Sequence, residues 1–205
     1  MVAGGRSAEV RRSPVERRIL DAAVRLFAER GFAGTSVQEV VAAAEVTKGA
    51  LYHYFDSKDD LLYEIYHSLI GRQLADLDRI LAAGEPPAAT VRAVITSLIE
   101  STAVHIDEAK VFTREMYRLD HDRMHAVRAD RRRYHVRFRA LIEQGQRDGA
   151  FAADASADTV TIVALGMVNQ MPYWYRADGP KTAAELAAEV AAFVLAALRP
   201  AEPPR

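Results

Sequence analysis

Apolar residues recur at intervals of three and four along almost the whole chain, and no run alternates apolar and polar positions between turn signals. That spacing lines up side chains on one face of a helix, so the pattern predicts an all-α protein. A serine or threonine followed three positions later by an acid marks helix starts at Ser13/Glu16, Ser36/Glu39, Ser57/Asp60 and Thr182/Glu185, with Pro14 suited to a first helical position. Stops fall at Gly31, at the Gly84-Glu85-Pro86-Pro87 break, at Gly145 and Gly149, and at Asp178-Gly179-Pro180. About nine helices result, over 15–30, 36–44, 47–54, 58–82, 87–106, 109–119, 122–147, 156–176 and 181–198. Pro172 leaves the Val168 carbonyl without its usual donor, which predicts a kink in the eighth. Residues 1–12 and 199–205 are polar or proline-rich and are expected to be disordered.

The second and third helices are short, closely spaced and preceded by a longer one, which is the layout of a helix-turn-helix whose last helix fits the major groove of DNA. Val37, Val40, Val41 and Ala44 would pack the first short helix, and Val46, Leu51 and Phe55 the second. Thr47, Lys48, Gly49, Ala50, Tyr52, His53 and Tyr54 then remain outward, a set of donors and small residues that permits close approach to a duplex. Thr35 and Ser36 place amides at a helix N-terminus, a second phosphate site, and Lys58 opens the next helix within reach of the same strand. Arginines before residue 19 are expected to serve as a flexible arm. The alternative reading is a helix-turn-helix that contacts a protein partner in a small-molecule-binding module.

Composition narrows the remaining classes. With 205 residues, 50% of them hydrophobic, the chain can bury a real core. A net charge of -1 gives no bulk attraction to nucleic acid, although residues 1–18 and 110–150 are locally basic. The absence of cysteine excludes disulfides and thiolate chemistry, and no signal-like apolar segment follows the N-terminus, so a cytoplasmic setting is expected. The longest apolar run, 191–198, is too short to span a bilayer, and no membrane association is expected. No nucleophile motif or glycine-rich phosphate loop is present, so neither an enzyme nor a cofactor is expected. His121 and His125 lie one turn apart without a third ligand, and no metal is expected.

Residues 19–62, ILDAAVRLFAERGFAGTSVQEVVAAAEVTKGALYHYFDSKDDLL, resemble the DNA-binding region of the TetR family of transcriptional regulators. The resemblance implies a DNA-binding domain over 13–57 and a ligand-binding and dimerisation domain over 58–198. By the same likeness Thr35, Ser36, Lys48, Tyr52, His53, Tyr54 and Lys58 face phosphates or base edges, while Leu51 and Phe55 are core. A homodimeric repressor on a palindromic double-stranded operator, released by a small-molecule effector, is the implied function. One residue departs from the family pattern: Glu45 stands where glycine is usual, in a turn that calls for positive φ.

Beyond residue 63 the sequence speaks less sharply. Two apolar stripes, Thr159, Ile162, Val163, Gly166, Met167 and Gln170 on one helix and Leu186, Val190, Phe193, Val194 and Leu198 on another, suit a two-fold four-helix bundle. Ile162, Gly166, Val190, Phe193 and Val194 are the expected interface residues; packing within one chain is the alternative. An effector pocket is expected among the middle helices, lined by Leu98, Thr102, His105, Phe112, Met116, Arg128, Arg131, Tyr134, Phe138, Asn169, Gln170, Tyr173 and Trp174. Arg131 interrupts an apolar stripe, which calls either for an ion pair with Glu115 or Asp120 or for an anionic ligand. The stretch YWYRADGPKTAAELAAEVAAFVLAAL is somewhat similar to regulators that respond to acyl-coenzyme A esters; a hydrophobic drug is the competing effector.

Overall fold

The computed structural model describes residues 12–200, and the arm and tail expected at the two ends otherwise lie outside them. Among the described residues the chain is entirely helical. The order is α1 (Pro14–Arg30), α2 (Val37–Ala43), α3 (Lys48–Tyr54), α4 (Lys58–Ala82), α5 (Pro87–Val104), α6 (Ile106–Glu115), a 3₁₀ turn (Met116–Arg118), α7 (His121–Arg147), α8 (Ala157–Asn169), α9 (Met171–Trp174) and α10 (Ala183–Ala197). Reciprocal capping boxes close at Ser13, Ser36 and Thr182. At Ser57 the hydroxyl accepts from the Asp60 amide, but the Asp60 carboxylate turns back to the Asp56 amide instead.

Three boundaries differ from the sequence pattern. The expected helix over 156–176 is two helices that meet at Gln170, because Pro172 cannot donate to the Val168 carbonyl and the ladder restarts. The helix expected from 109 begins at Ile106, directly after a bend at His105; the Thr102 hydroxyl donates to the Leu98 carbonyl one turn earlier, a contact that bends helices. Gly145 does not end α7 but lies inside its last turn, where a β-carbon would sit 2.3 Å from the Phe151 ring. The stop belongs to Gly149, at φ +74°.

Two cores form, and α4 belongs to both. The lower one joins Ile19, Ala23, Phe27, Val40, Leu51 and Phe55 of the first three helices and the Phe55 cap to Leu61, Leu62, Ile65 and Tyr66 of α4, and continues into Val111 of α6 and Val127 of α7. The upper one packs Ile70, Leu74 and Leu77 of α4 against α5, α7, α8 and α10. Within it Phe138 and Ile142 are wholly buried, and Val190, Val194 and Leu198 of the last helix and its end close the far side. The first three helices are therefore continuous in packing with α6 and with the start of α7.

The turn between α2 and α3 has the strain its sequence implies. Glu45 adopts φ 50°, the sole non-glycine residue in the left-handed region among those described. Arg18 steadies it by donating to the Ala44 carbonyl at 2.6 Å and the Glu45 carbonyl at 2.8 Å, so this arginine belongs to the fold and not to an arm. Arg12 is likewise held, by Glu16 and Glu64. Glu45→Gly should keep both Arg18 bonds, which go to backbone, and relieve the strain. Allowing for the freer unfolded chain, a gain of about 0.5–1 kcal/mol is expected in urea unfolding at unchanged m-value.

Candidate nucleic-acid interface and effector cavity

Seven residues suffice for α3 because its inner side is fixed by the fully buried Leu51 and by Phe55 at its cap, and its start by the Thr47 hydroxyl, which accepts from the Ala50 amide. The other face is open. Thr47, Lys48, Gly49, Tyr52, His53 and Tyr54 are all exposed, as is Ser36 at the start of α2. Lys48 Nζ lies 5.7 Å from the Tyr52 ring centre, and the His53 and Tyr54 rings pack edge to face at 4.8 Å. At Gly49 nothing but the Thr47 hydroxyl comes within 4 Å of a β-carbon position, so another molecule can approach the backbone closely. Cation, phenol, imidazole and hydroxyl thus share one convex surface of the size a major groove accepts.

Two expected phosphate contacts are committed elsewhere. Thr35 is buried, its hydroxyl donating to the Gly31 and Leu26 carbonyls and its amide to the Phe32 carbonyl. Lys58 Nζ donates to the Phe32 and Thr35 carbonyls at 2.7 and 2.8 Å and sits 4.1 Å from the Phe32 ring centre. Both residues brace the loop before α2. The Ser36 amide is not free either, since the Glu39 carboxylate accepts it, and that bond holds the Glu39 pKa below the usual carboxylate range.

Sequence reasoning missed Glu115 as a link between the helix-turn-helix head, α1 to α3, and the helices that follow α4. This buried carboxylate accepts from the Phe32 amide at 3.2 Å and from Arg118 Nε at 2.6 Å, across 83 residues of chain in the first case. Arg114 adds a bond to the Ala28 carbonyl. The end of α6 is thereby tied to the end of α1. No sequence pattern signals a contact whose partner is a backbone amide.

The middle helices enclose a cavity of about 40 Å³ lined by Leu69, Ile70, Gln73, Thr102, Ala109, Phe112, Thr113, Arg131, Val168 and Asn169. Four expected pocket residues converge there: Thr102, Phe112, Arg131 and Asn169. Leu98, Tyr134 and Phe138 are buried in the upper core, and Met116 in the lower one beneath Arg131. Arg128, Gln170, Tyr173 and Trp174 are exposed outside it. His105 lines a separate open groove of about 720 Å³ between α4 and α5. Burial, aided by Arg72, holds its pKa below the ordinary histidine value, although Glu108 is 3.5 Å away.

Neither expected partner reaches Arg131. Glu115 is taken by Arg118, and Asp120 caps α7 and pairs with Arg123. Arg131 instead lies 5.2 Å from the Phe112 ring centre, with Nη1 3.8 Å from Met116 Sδ. Burial pushes its pKa down.

The expected interface residues divide in the same way. Ile162 and Phe193 are 56% and 62% exposed and Gly166 is open, with Val163 beside them also exposed, whereas Val190 and Val194 pack inside their own chain against α5. The last helix cannot show both faces to a partner because its inner stripe closes the upper core. No helix among the described residues is long and apolar enough to cross a membrane.

Known proteins share this arrangement. Residues 19–65 match the family model for bacterial regulatory proteins of the tetR family, and residues 84–198 match that for the tetracyclin repressor-like C-terminal domain. The HTH-type transcriptional repressor KstR2 of Rhodococcus jostii is 29% identical over 185 residues, covering 86% of this chain and 87% of that one. The structure of the ketosteroid transcriptional regulator KstR2 of Mycobacterium tuberculosis has the same fold, with a TM-score of 0.81 at 24% identity over 90% of this chain and 96% of that one. AibR, solved in complex with isovaleryl coenzyme A and operator DNA, gives a TM-score of 0.75 at 26% identity over 91% and 98%. These relatives are regulators and not enzymes. With the sensor match alone covering more than half of its length and the head matched separately, the chain belongs to the TetR family of bacterial transcriptional regulators.

Proposed function

We propose that this chain is a repressor that binds a palindromic operator as a homodimer and is released by a lipophilic small molecule of the acyl-coenzyme A ester class. The observation that carries the reading is the exposed face of α3, where Lys48, Tyr52, His53 and Tyr54 project from a helix whose other side is buried. The exposed apolar patch of Ile162, Val163 and Phe193 supports a two-fold partner, which would set two α3 helices to meet successive major grooves about 34 Å apart. AibR, a relative by fold and sequence, supports the effector class, since it is solved with isovaleryl coenzyme A and operator DNA.

Selection of bound duplexes from a randomised DNA pool tests the reading, with wild type beside Lys48→Ala. An enriched palindrome is the expected result, weakened in the variant. On the selected site, Lys48→Ala should lower the slope of log affinity against log salt by about one, because one phosphate contact and its released counterion are lost. A folded dimer that enriches nothing at low salt, or a variant with an unchanged slope, would count against DNA as the partner of this face.

A further inference from the structure

The cationic side chains of α7 are otherwise accounted for. Arg123, Arg133, Arg137 and Arg139 each pair with a carboxylate, Arg147 bonds to Gln144, and Arg128 and Arg132 lie in solvent. Arg131 is the exception among the described residues: half-buried, without an ion pair, and lining a cavity between α4, α5, α6, α7 and α8. A guanidinium withdrawn from water without a counter-charge is costly, and the Phe112 ring face offsets only part of that cost. Two further groups line the same cavity without a side-chain hydrogen bond among the described residues, the amide of the half-buried Gln73 and that of Asn169, which is exposed at the rim. A planar fork of donors beside two spare amides is the donor set that an organic carboxylate satisfies, two oxygens on the guanidinium and the remaining lone pairs on the amide N–H groups.

We propose that Arg131 is the seat of a carboxylate carried on the buried end of the effector. This deepens the function proposed above and rests on its placing the effector in this cavity. The chemistry is that of an acid whose charged end enters first: either the half coenzyme A ester of a dicarboxylic acid, with the nucleotide outward, or a free carboxylic acid. A simple acyl ester would bring only a methyl end to the guanidinium and leave it unneutralised.

Four probes separate the possibilities, measured on the full chain by calorimetry and by release of the selected operator. These are the mono-coenzyme A ester of adipic acid, hexanoyl-coenzyme A, free adipate and free hexanoate. Wild type should bind the adipate ester about 10- to 100-fold more tightly than hexanoyl-coenzyme A. Arg131→Met, which fills similar space without charge, should erase that preference, and Arg131→Lys should restore part of it. The methionine variant should also melt about 2–4 °C higher without effector, since an unneutralised, half-buried charge has been removed. Tighter binding of the free acids, with Arg131→Met abolishing it and neither ester bound, would uphold the carboxylate seat and refute the acyl-coenzyme A reading. Equal binding of the two esters, with Arg131→Met the same, would overturn the seat and leave that reading intact. If no probe distinguishes wild type from Arg131→Met, or if the variant melts lower, Arg131 is a packing residue and the inference is wrong.

Discussion

Phe138→Ala is expected to destabilise the chain by about 3–5 kcal/mol, the cost of losing a large buried ring and leaving a cavity behind. The ring is fully buried on α7, within the cluster that joins α4, α5, α8 and α10. Helices on every side limit how far the site can collapse. Equilibrium unfolding in urea, followed by helical circular dichroism, should show a large fall in midpoint. This prediction decides between two roles. A pocket residue would lose effector response while keeping its stability; Phe138 does not line the cavity and should lose stability first.

Glu115→Ala should cost about 1.5–3 kcal/mol, because it strands the Phe32 amide and removes a charged hydrogen bond from a buried site. Arg118 is half exposed and can be solvated, so its share of the loss is small. The functional effect should be distinct. Phe32 is gripped at its amide by α6 and at its carbonyl by Lys58 of α4, which makes this residue a joint between the helix-turn-helix and the helices beyond it. If effector and operator communicate through that joint, the fold-change in operator affinity produced by an acyl-coenzyme A ester should shrink severalfold in the variant, within the roughly 5- to 150-fold span of typical allosteric coupling. Operator affinity without effector should change less. Glu115→Gln retains an acceptor for the Phe32 amide and should recover part of the coupling. An undiminished fold-change in Glu115→Ala would place the communication elsewhere.

What could be read in advance follows from how far each interaction reaches along the chain. Helix caps act over three residues, and the boxes at Ser13, Ser36 and Thr182 stand where the pattern put them. The face of α3 is equally local, since two buried positions fix which side is left for a partner. The bonds that hold Lys58 were not legible, because a lysine at a helix start looks solvated until the carbonyls 23 and 26 residues back are seen to bend under it. Val190 and Val194 illustrate a different limit. An apolar stripe shows that a face is covered but not whether its cover is another helix of the chain or a second copy, and here α5 supplies it. For Arg131 the sequence exposed the anomaly but not its resolution, because both proposed partners proved to be engaged with nearer arginines.

The volume between α4 and α8 carries a consequence for the cell. About 40 Å³ holds one or two waters, whereas small-molecule sites span about 300–1,000 Å³, so an effector seated there as proposed would need α6 and its neighbours to part. Every opening is a tax on affinity: a form open about 1% of the time weakens apparent binding about 100-fold. Under the repressor reading proposed above, a protein built this way would disregard traces of its ligand and answer only to accumulation. The genes it controls would then stay silent through metabolic noise and switch on when supply is sustained.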